Sequence, residues 1–277
     1  MTDILQRSCA HWSEDKRAGM EDFYALATAD YRHLAEALDW RSWLEARQAD
    51  AGARPLRLLD VACGSGKFPV ALARHAGVAE AAISPVAYSL LDPAPFSIAE
   101  ARAALPRPFQ AGAEYPTTLQ DLDCAPGAFD ILWATHALYA VPSTEVEIAM
   151  ERFLHALSGT GVIAQSLSDG HYLKFHAHFL DAFGDGGTQL YTGAEALEAA
   201  LLKLGARVET VDIAYENGVP ETETPRVEGF LQRCVFDDSV SLAQMRDRAG
   251  IGDYLSGCLR DGHWRFPQKV RLLFVRP

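Results

Sequence analysis

Cysteines are few, and no pattern joins them: Cys9, Cys63, Cys124, Cys234 and Cys258 form an odd set of five without a Cys-x-x-Cys pair. This supplies neither a disulfide framework nor zinc-ligand spacing, and suits reduced thiols in a cytoplasm. Basic charge is also short. Asp and Glu number 37 against 25 Lys and Arg, a net charge of -12, which argues against nucleic acid or anionic membrane as a partner, since both need a positive face. No run of about 18 apolar residues suggests a membrane span. The opening Met-Thr-Asp-Ile-Leu-Gln-Arg lacks the basic and apolar regions of a signal peptide. Neither an internal repeat nor a low-complexity segment is seen. What is present, 277 residues that are 49% hydrophobic, suffices for one large domain, alone or with a smaller cap. A small-molecule partner fits best, for a monomer or a homodimer.

The stretch that organises the chain is Arg57 to Lys67, Arg-Leu-Leu-Asp-Val-Ala-Cys-Gly-Ser-Gly-Lys. An apolar strand ends at Asp60, and a loop with Gly64 and Gly66 leads into a helix from Phe68 to His75. Glycines let a ligand approach the backbone, and the free N–H groups of a helix start favour negative charge. A third glycine is missing. Pro69 stands where the dinucleotide fingerprint Gly-x-Gly-x-x-Gly needs it, and Lys67 lacks the spacing of a P-loop lysine.

Before this loop, residues 14–47 read as helix, with Met20, Phe23, Tyr24, Ala27, Tyr31, Leu34 and Leu38 at steps of three or four. Tyr24 and Tyr31 are either packing residues or the roof of a substrate pocket. After it, Val86 to Leu91 is a second strand ending at Asp92, an acid placed to accept from ribose hydroxyls or to cap the helix from Phe96 to Ala104. Strands follow at 106–111, 129–134, 161–167, 207–214 and 269–275, and helices at 144–157, 171–183 and 194–204, with Ser143 a candidate cap. Residues 226–259 read as helices broken by Gly250, Gly252 and Gly257. Alternating strands and helices predict an α/β, mostly parallel, doubly wound sheet.

The acid-x-Gly-x-Gly-x-Gly signature of class I S-adenosylmethionine-dependent methyltransferases resembles Asp60-Val61-Ala62-Cys63-Gly64-Ser65-Gly66, with Ala62 at the first glycine. Asp92 at the next strand end and the strand opening Phe129-Asp130 strengthen the likeness. Within that class the chain is most similar to histamine N-methyltransferase and its relatives, through Leu91-Asp92-Pro93-Ala94, Leu138-Tyr139-Ala140-Val141, Ser168-Asp169-Gly170 and Leu190-Tyr191-Thr192 in shared order. The resemblance implies a Rossmann-like seven-stranded sheet with an N-terminal helical cap (1–50), a core (51–217), a helical insertion or lid (218–263) and a last core strand (264–277). It also implies S-adenosylmethionine as cofactor, with Asp60, Ala62, Gly64 and Gly66 along its methionine end. Asp92 and Pro93 would meet the ribose, Ser97 and Thr135 would add contacts, and Glu114 is the candidate at the adenine end. His136, Tyr139, His171, Phe175 and Gln268 fall at substrate-pocket positions.

The activity implied is methyl transfer to nitrogen or oxygen of a small molecule, in amine or natural-product metabolism. Methyl transfer from a sulfonium is an in-line displacement in which alignment supplies much of the acceleration. A neutral His136 could take the acceptor's proton or only orient the substrate, with Tyr139 beside it. Asp130 reads as structural. His171, His176 and His178 do not share one helix face, so a metal is not expected. Two other readings remain: a methyltransferase-fold enzyme of cyclisation or decarboxylation, and a non-catalytic binding module.

Overall fold

Strand β1 (Arg57–Val61) sends Leu58 into one hydrophobic cluster and Leu59 and Val61 into another. Strand β4 (Phe129–Thr135) likewise splits Ile131 and Trp133 from Leu132 and Ala134, as expected of central strands covered on both faces. The computed structural model describes residues 4–277 except Asp185 and Gly187, and Ala18 in its backbone alone. β1 and β4 run parallel, Leu58 beside Ile131 and Asp60 beside Trp133. Outward from β1 lie β2 (Val86–Leu91) and β3 (Phe109–Tyr115), and outward from β4 lies β5 (Leu157–Ser166), all parallel. Beyond them β8 (His263–Arg276) runs antiparallel between β5 and the edge strand β6 (Arg207–Pro220), and β7 (Leu259–Arg260) pairs with the start of β8. The order is β3-β2-β1-β4-β5-β8-β6. It reverses between β1 and β4, and the loops leaving the carboxyl ends of those strands bound a crevice.

One face of the sheet is covered by α3 (Trp40–Ala51), α4 (Lys67–His75) and α5 (Pro95–Ala104) through Trp40, Leu44, Phe68, Leu72 and Ile98. The other carries α6 (Val146–Ala156) and α8 (Ala194–Lys203) through Met150, Phe153, Leu197 and Leu201. A third cluster joins α2 (Arg17–Glu36), α7 (His171–Phe183), α9 (Thr224–Val235), α10 (Leu242–Asp247) and α11 (Ile251–Cys258) around Leu26, Phe175, Phe230, Met245, Leu255 and Phe266. Helix α1 (Ile4–His11) adds Ile4 and Leu5 beside Tyr191 and Phe236. Among the described residues no helix is long and apolar enough to cross a membrane.

Several boundaries depart from expectation, among them the third strand, expected over 106–111 and found at Phe109–Tyr115. The helix expected over 14–47 is divided, because the Asp39 carboxylate accepts from the Ser42 amide at 3.0 Å and starts α3 afresh. Glu145 rather than Ser143 precedes α6. The ladder of β6 and β8 runs unbroken from Arg207 opposite Arg276 to Pro220 opposite His263. Trp264, Phe266, Gln268 and Val270 are buried on alternate positions, which extends β8 well before residue 269. The two-residue β7 brings the strands to eight rather than seven.

Candidate functional site

Asp92, just past β2, ties two segments together. Its Oδ2 accepts from the Gly64 amide at 3.0 Å and its Oδ1 from the Ala94 amide at 2.9 Å. Burial raises its pKa while those two bonds oppose the rise. Ala94, not Asp92, precedes α5, and the carboxylate keeps acceptor capacity for a ligand. Asp60 is held from below: Trp133 Nε1 donates to Tyr88 Oη at 3.0 Å, and that hydroxyl donates to Asp60 Oδ2 at 2.6 Å. Burial pushes the Asp60 carboxyl up to about 7, against those bonds.

The loop between them is left-handed at three places: Ala62 at φ +51°, Gly64 at +50° and Gly66 at +71°. For alanine this costs roughly 1–2 kcal/mol, so Ala62 adopts the angle usually left to glycine. His136 (+54°) and Phe236 (+51°) share the conformation, and three of the four non-glycine residues with it among the described residues line the same cavity, Asp261 (+53°) lying elsewhere. Such concentration is typical of functional sites. Gly66 serves packing instead: a Cβ there would lie 3.1 Å from Ala101 Cα, so its absence lets α5 close on the loop.

That cavity brings together Asp60, Ala62, Gly64, Asp92, Pro93, Ser97 and Thr135 with Tyr24, Tyr31, His136 and Tyr139. Tyr24 and Tyr31 hang from α2, and burial drives the Tyr24 hydroxyl pKa to about 12 and that of Tyr31 up as well. Tyr31 meets the His136 ring edge-on at 6.1 Å. The Ser166 amide donates to Tyr139 Oη at 3.2 Å, and Tyr139 Oη lies 2.7 Å from His136 Nδ1. The 2.7 Å contact fits either tautomer; we assign the one in which Tyr139 donates its proton to Nδ1 and Nε2 carries the imidazole hydrogen, which gives the tyrosine proton a partner. Nε2 is buried with no partner among the described residues. Burial lowers the His136 pKa, so the ring is a neutral donor near pH 7.

Other expected residues stand outside the cavity walls. Glu114 lies on the exposed face of β3 in an ion pair with Arg102. His171 is fully buried, stacked beside Phe175 and Phe230 and bonded through Nδ1 to Tyr254 Oη at 2.7 Å. Phe175 belongs to the same cluster. Gln268 is buried in β8 opposite Tyr215. Asp130 lies at the opposite end of β4, where Arg54 and Arg57 hold its carboxylate and lower its pKa despite the counter-effect of burial. No metal-ligand group occurs among the described residues.

Several cavity residues carry no motif that marks them in the sequence, among them Asp30, Tyr172, Trp12 and Arg233. Asp30 is buried, its carboxylate accepting from Tyr172 Oη at 2.5 Å and Asn217 Nδ2 at 2.7 Å. Its signal in the sequence is an acid three residues after Ala27, inside the apolar stripe of α2.

No protein-family model and no curated protein matches the chain. Solved structures do. A Bacillus halodurans protein provisionally classed as a methyltransferase aligns at TM-score 0.52 and 14% identity, over 84% of this chain and 97% of its own. The magnesium protoporphyrin IX methyltransferase of Synechocystis PCC 6803, solved with S-adenosylhomocysteine, aligns at TM-score 0.52 and 11% identity over 95% and 96%. The chain therefore has the Rossmann-like α/β fold of these methyltransferases.

Proposed function

We propose that the protein transfers a methyl group from S-adenosylmethionine to nitrogen or oxygen of a small molecule. The observation that carries this reading is a single cavity that joins the glycine loop and Asp92 to Asp30, Tyr31, His136 and Tyr139. The fold shared with methyltransferases supports it. The cofactor would supply an electrophilic methyl on sulfonium sulfur. The residues suited to hold it are Asp92, as acceptor for ribose hydroxyls, the loop backbone around Gly64, and Ser97 and Thr135. Asp30 offers a carboxylate to an N–H or O–H of the acceptor, while His136 Nε2–H offers a donor to a second polar atom. Together they orient the nucleophile, and orientation is what an in-line displacement chiefly needs. In the assigned tautomer, with the Tyr139 proton on Nδ1, His136 orients the acceptor; in the other tautomer Nε2 would be free to act as base. The proposal names no histamine specificity, since His171, Phe175 and Gln268 do not reach the cavity.

The test is mass spectrometry for S-adenosylhomocysteine and methylated product with panels of amines, phenols and carboxylates. Turnover that consumes an acceptor without releasing S-adenosylhomocysteine would favour cyclisation or decarboxylation instead.

Asp60 adds a pH dependence. Its folded pKa, about 7, lies above the ordinary carboxylate value, so the free protein holds a proton there that the unfolded chain loses at lower pH. Between about pH 4 and 7 Asp60 therefore lowers stability as pH rises. A bound sulfonium and ammonium favour the ionised form, so cofactor affinity should fall below pH 7, by up to about tenfold per pH unit. Calorimetry at pH 6 in two buffers of different ionisation enthalpy should register proton release on binding, and Asp60→Asn should abolish it. Equal heats for the wild type in both buffers would contradict the assignment.

A further inference from the structure

Arg233 is an arginine of the insertion with almost no exposure, at 3%, and with part of its hydrogen-bonding capacity unused. Its Nη2 donates to the Lys16 carbonyl at 3.0 Å and its guanidinium lies over the Trp12 ring, 5.0 Å from the centroid. Its Nη1 is buried without a partner among the described residues. Asp238, the acid whose field reaches it, is already engaged by Lys16 at 2.7 Å and His11 at 3.2 Å. An arginine stays protonated even when burial disfavours its charge, and a buried charge is retained when a counter-charge meets it.

The surroundings say where that counter-charge belongs. Trp12 packs at a tilt against Tyr24, ring centres 5.9 Å apart, and the Tyr24 hydroxyl overhangs Gly64, 3.5 Å from where a Cβ would sit. Lys67 Nζ lies 4.5 Å from the centre of the same tyrosine ring. Two cations thus flank Tyr24 above the glycine loop, and Arg233 is a wall of the cavity. Its planar fork matches a carboxylate. Of the groups in S-adenosylmethionine the α-carboxylate alone is anionic, and it lies at the methionine end that the proposed function sets along this loop.

We propose that Arg233 binds the α-carboxylate of the cofactor, so that α9 closes the methionine end of the cavity and the insertion takes part in cofactor binding. This rests on the assignment of S-adenosylmethionine. The test compares S-adenosylmethionine with decarboxylated S-adenosylmethionine, which keeps sulfonium and ammonium, by calorimetry on the full chain. The wild type should prefer the carboxylate form by about 10- to 100-fold. Arg233→Met should erase the preference while binding the decarboxylated form as the wild type does, and Arg233→Lys should restore part of it. A wild type that does not discriminate, or an Arg233→Met protein that still does, would overturn the proposal. So would equal losses for both ligands, which mean a structural role only. If Arg233→Met does not fold, the wild-type ratio and the lysine variant decide. Failure of the cofactor assignment looks different: neither ligand binds the wild type.

Discussion

Replacing Asp92 with alanine is expected to lower affinity for S-adenosylmethionine by at least about a hundredfold, the effect of deleting charge-assisted hydrogen bonds from a buried site. Two losses combine. The ribose would lose the acceptor proposed for it, and the Gly64 and Ala94 amides lose theirs, at 3.0 and 2.9 Å, so the glycine loop is no longer tied to the start of α5. Asp92→Asn separates these effects, because its one carbonyl oxygen can serve one amide but lacks the charge. It should bind between wild type and alanine. Calorimetry gives the affinities, and thermal melts without ligand show how much of the change is loop order. Undiminished binding by Asp92→Ala would remove the cofactor assignment.

The second large effect falls on stability. Trp133 is fully buried in β4 and packs edge-on against Phe68, Tyr88 and Phe109 at 5.1, 5.6 and 5.8 Å. Trp133→Ala should cost about 3–5 kcal/mol through lost burial and the cavity left behind, a large part of a typical total of 5–15 kcal/mol. Trp133→Phe keeps most of the volume but deletes the donor to Tyr88 Oη. It should cost about 1–2 kcal/mol and raise the Asp60 pKa further, because that bond helps hold it down. Urea melts measure the first, and carboxyl titration by NMR the second. An unmoved Asp60 titration in Trp133→Phe would show that the relay from Trp133 through Tyr88 is not energetically connected.

The glycine-loop end of the candidate site was legible as a strand–loop–helix because its spacing is local. Asp60, Gly64 and Gly66 lie on one turn, and Asp92 follows at the next strand end, so a strand–loop–helix reading places them without tertiary knowledge. The acceptor end depends on helix rotation. Successive residues of a helix are about 100° apart, so in α7 Tyr172 reaches the cavity while its neighbour His171 turns toward Phe175 and Tyr254. No motif fixes that rotation. Asp30 was hidden for a different reason: a lone acid in an amphipathic helix reads as solvated until Tyr172 and Asn217, 142 and 187 residues away, supply its partners. Arg233 belongs to the same class, since its surroundings come from Lys16 and Trp12 across the chain. The sheet was legible in class but not in extent, for β6 and β8 lengthen each other through pairing that neither segment declares alone.

The place of β8 also governs how the molecule is made. Among the described residues edge strand β6 pairs with no strand except β8, and β5 has β8 as its neighbour on that side. Until residues 263–276 have emerged from the ribosome, Val162, Ile163 and Ala164 present an unpaired rim, and α9 to α11 have no Trp264 or Phe266 to pack upon. Such a rim invites other strands. A nascent chain halted before residue 263 should therefore engage chaperones and resist folding into a compact, protease-resistant form, even though its glycine loop and Asp92 are already complete.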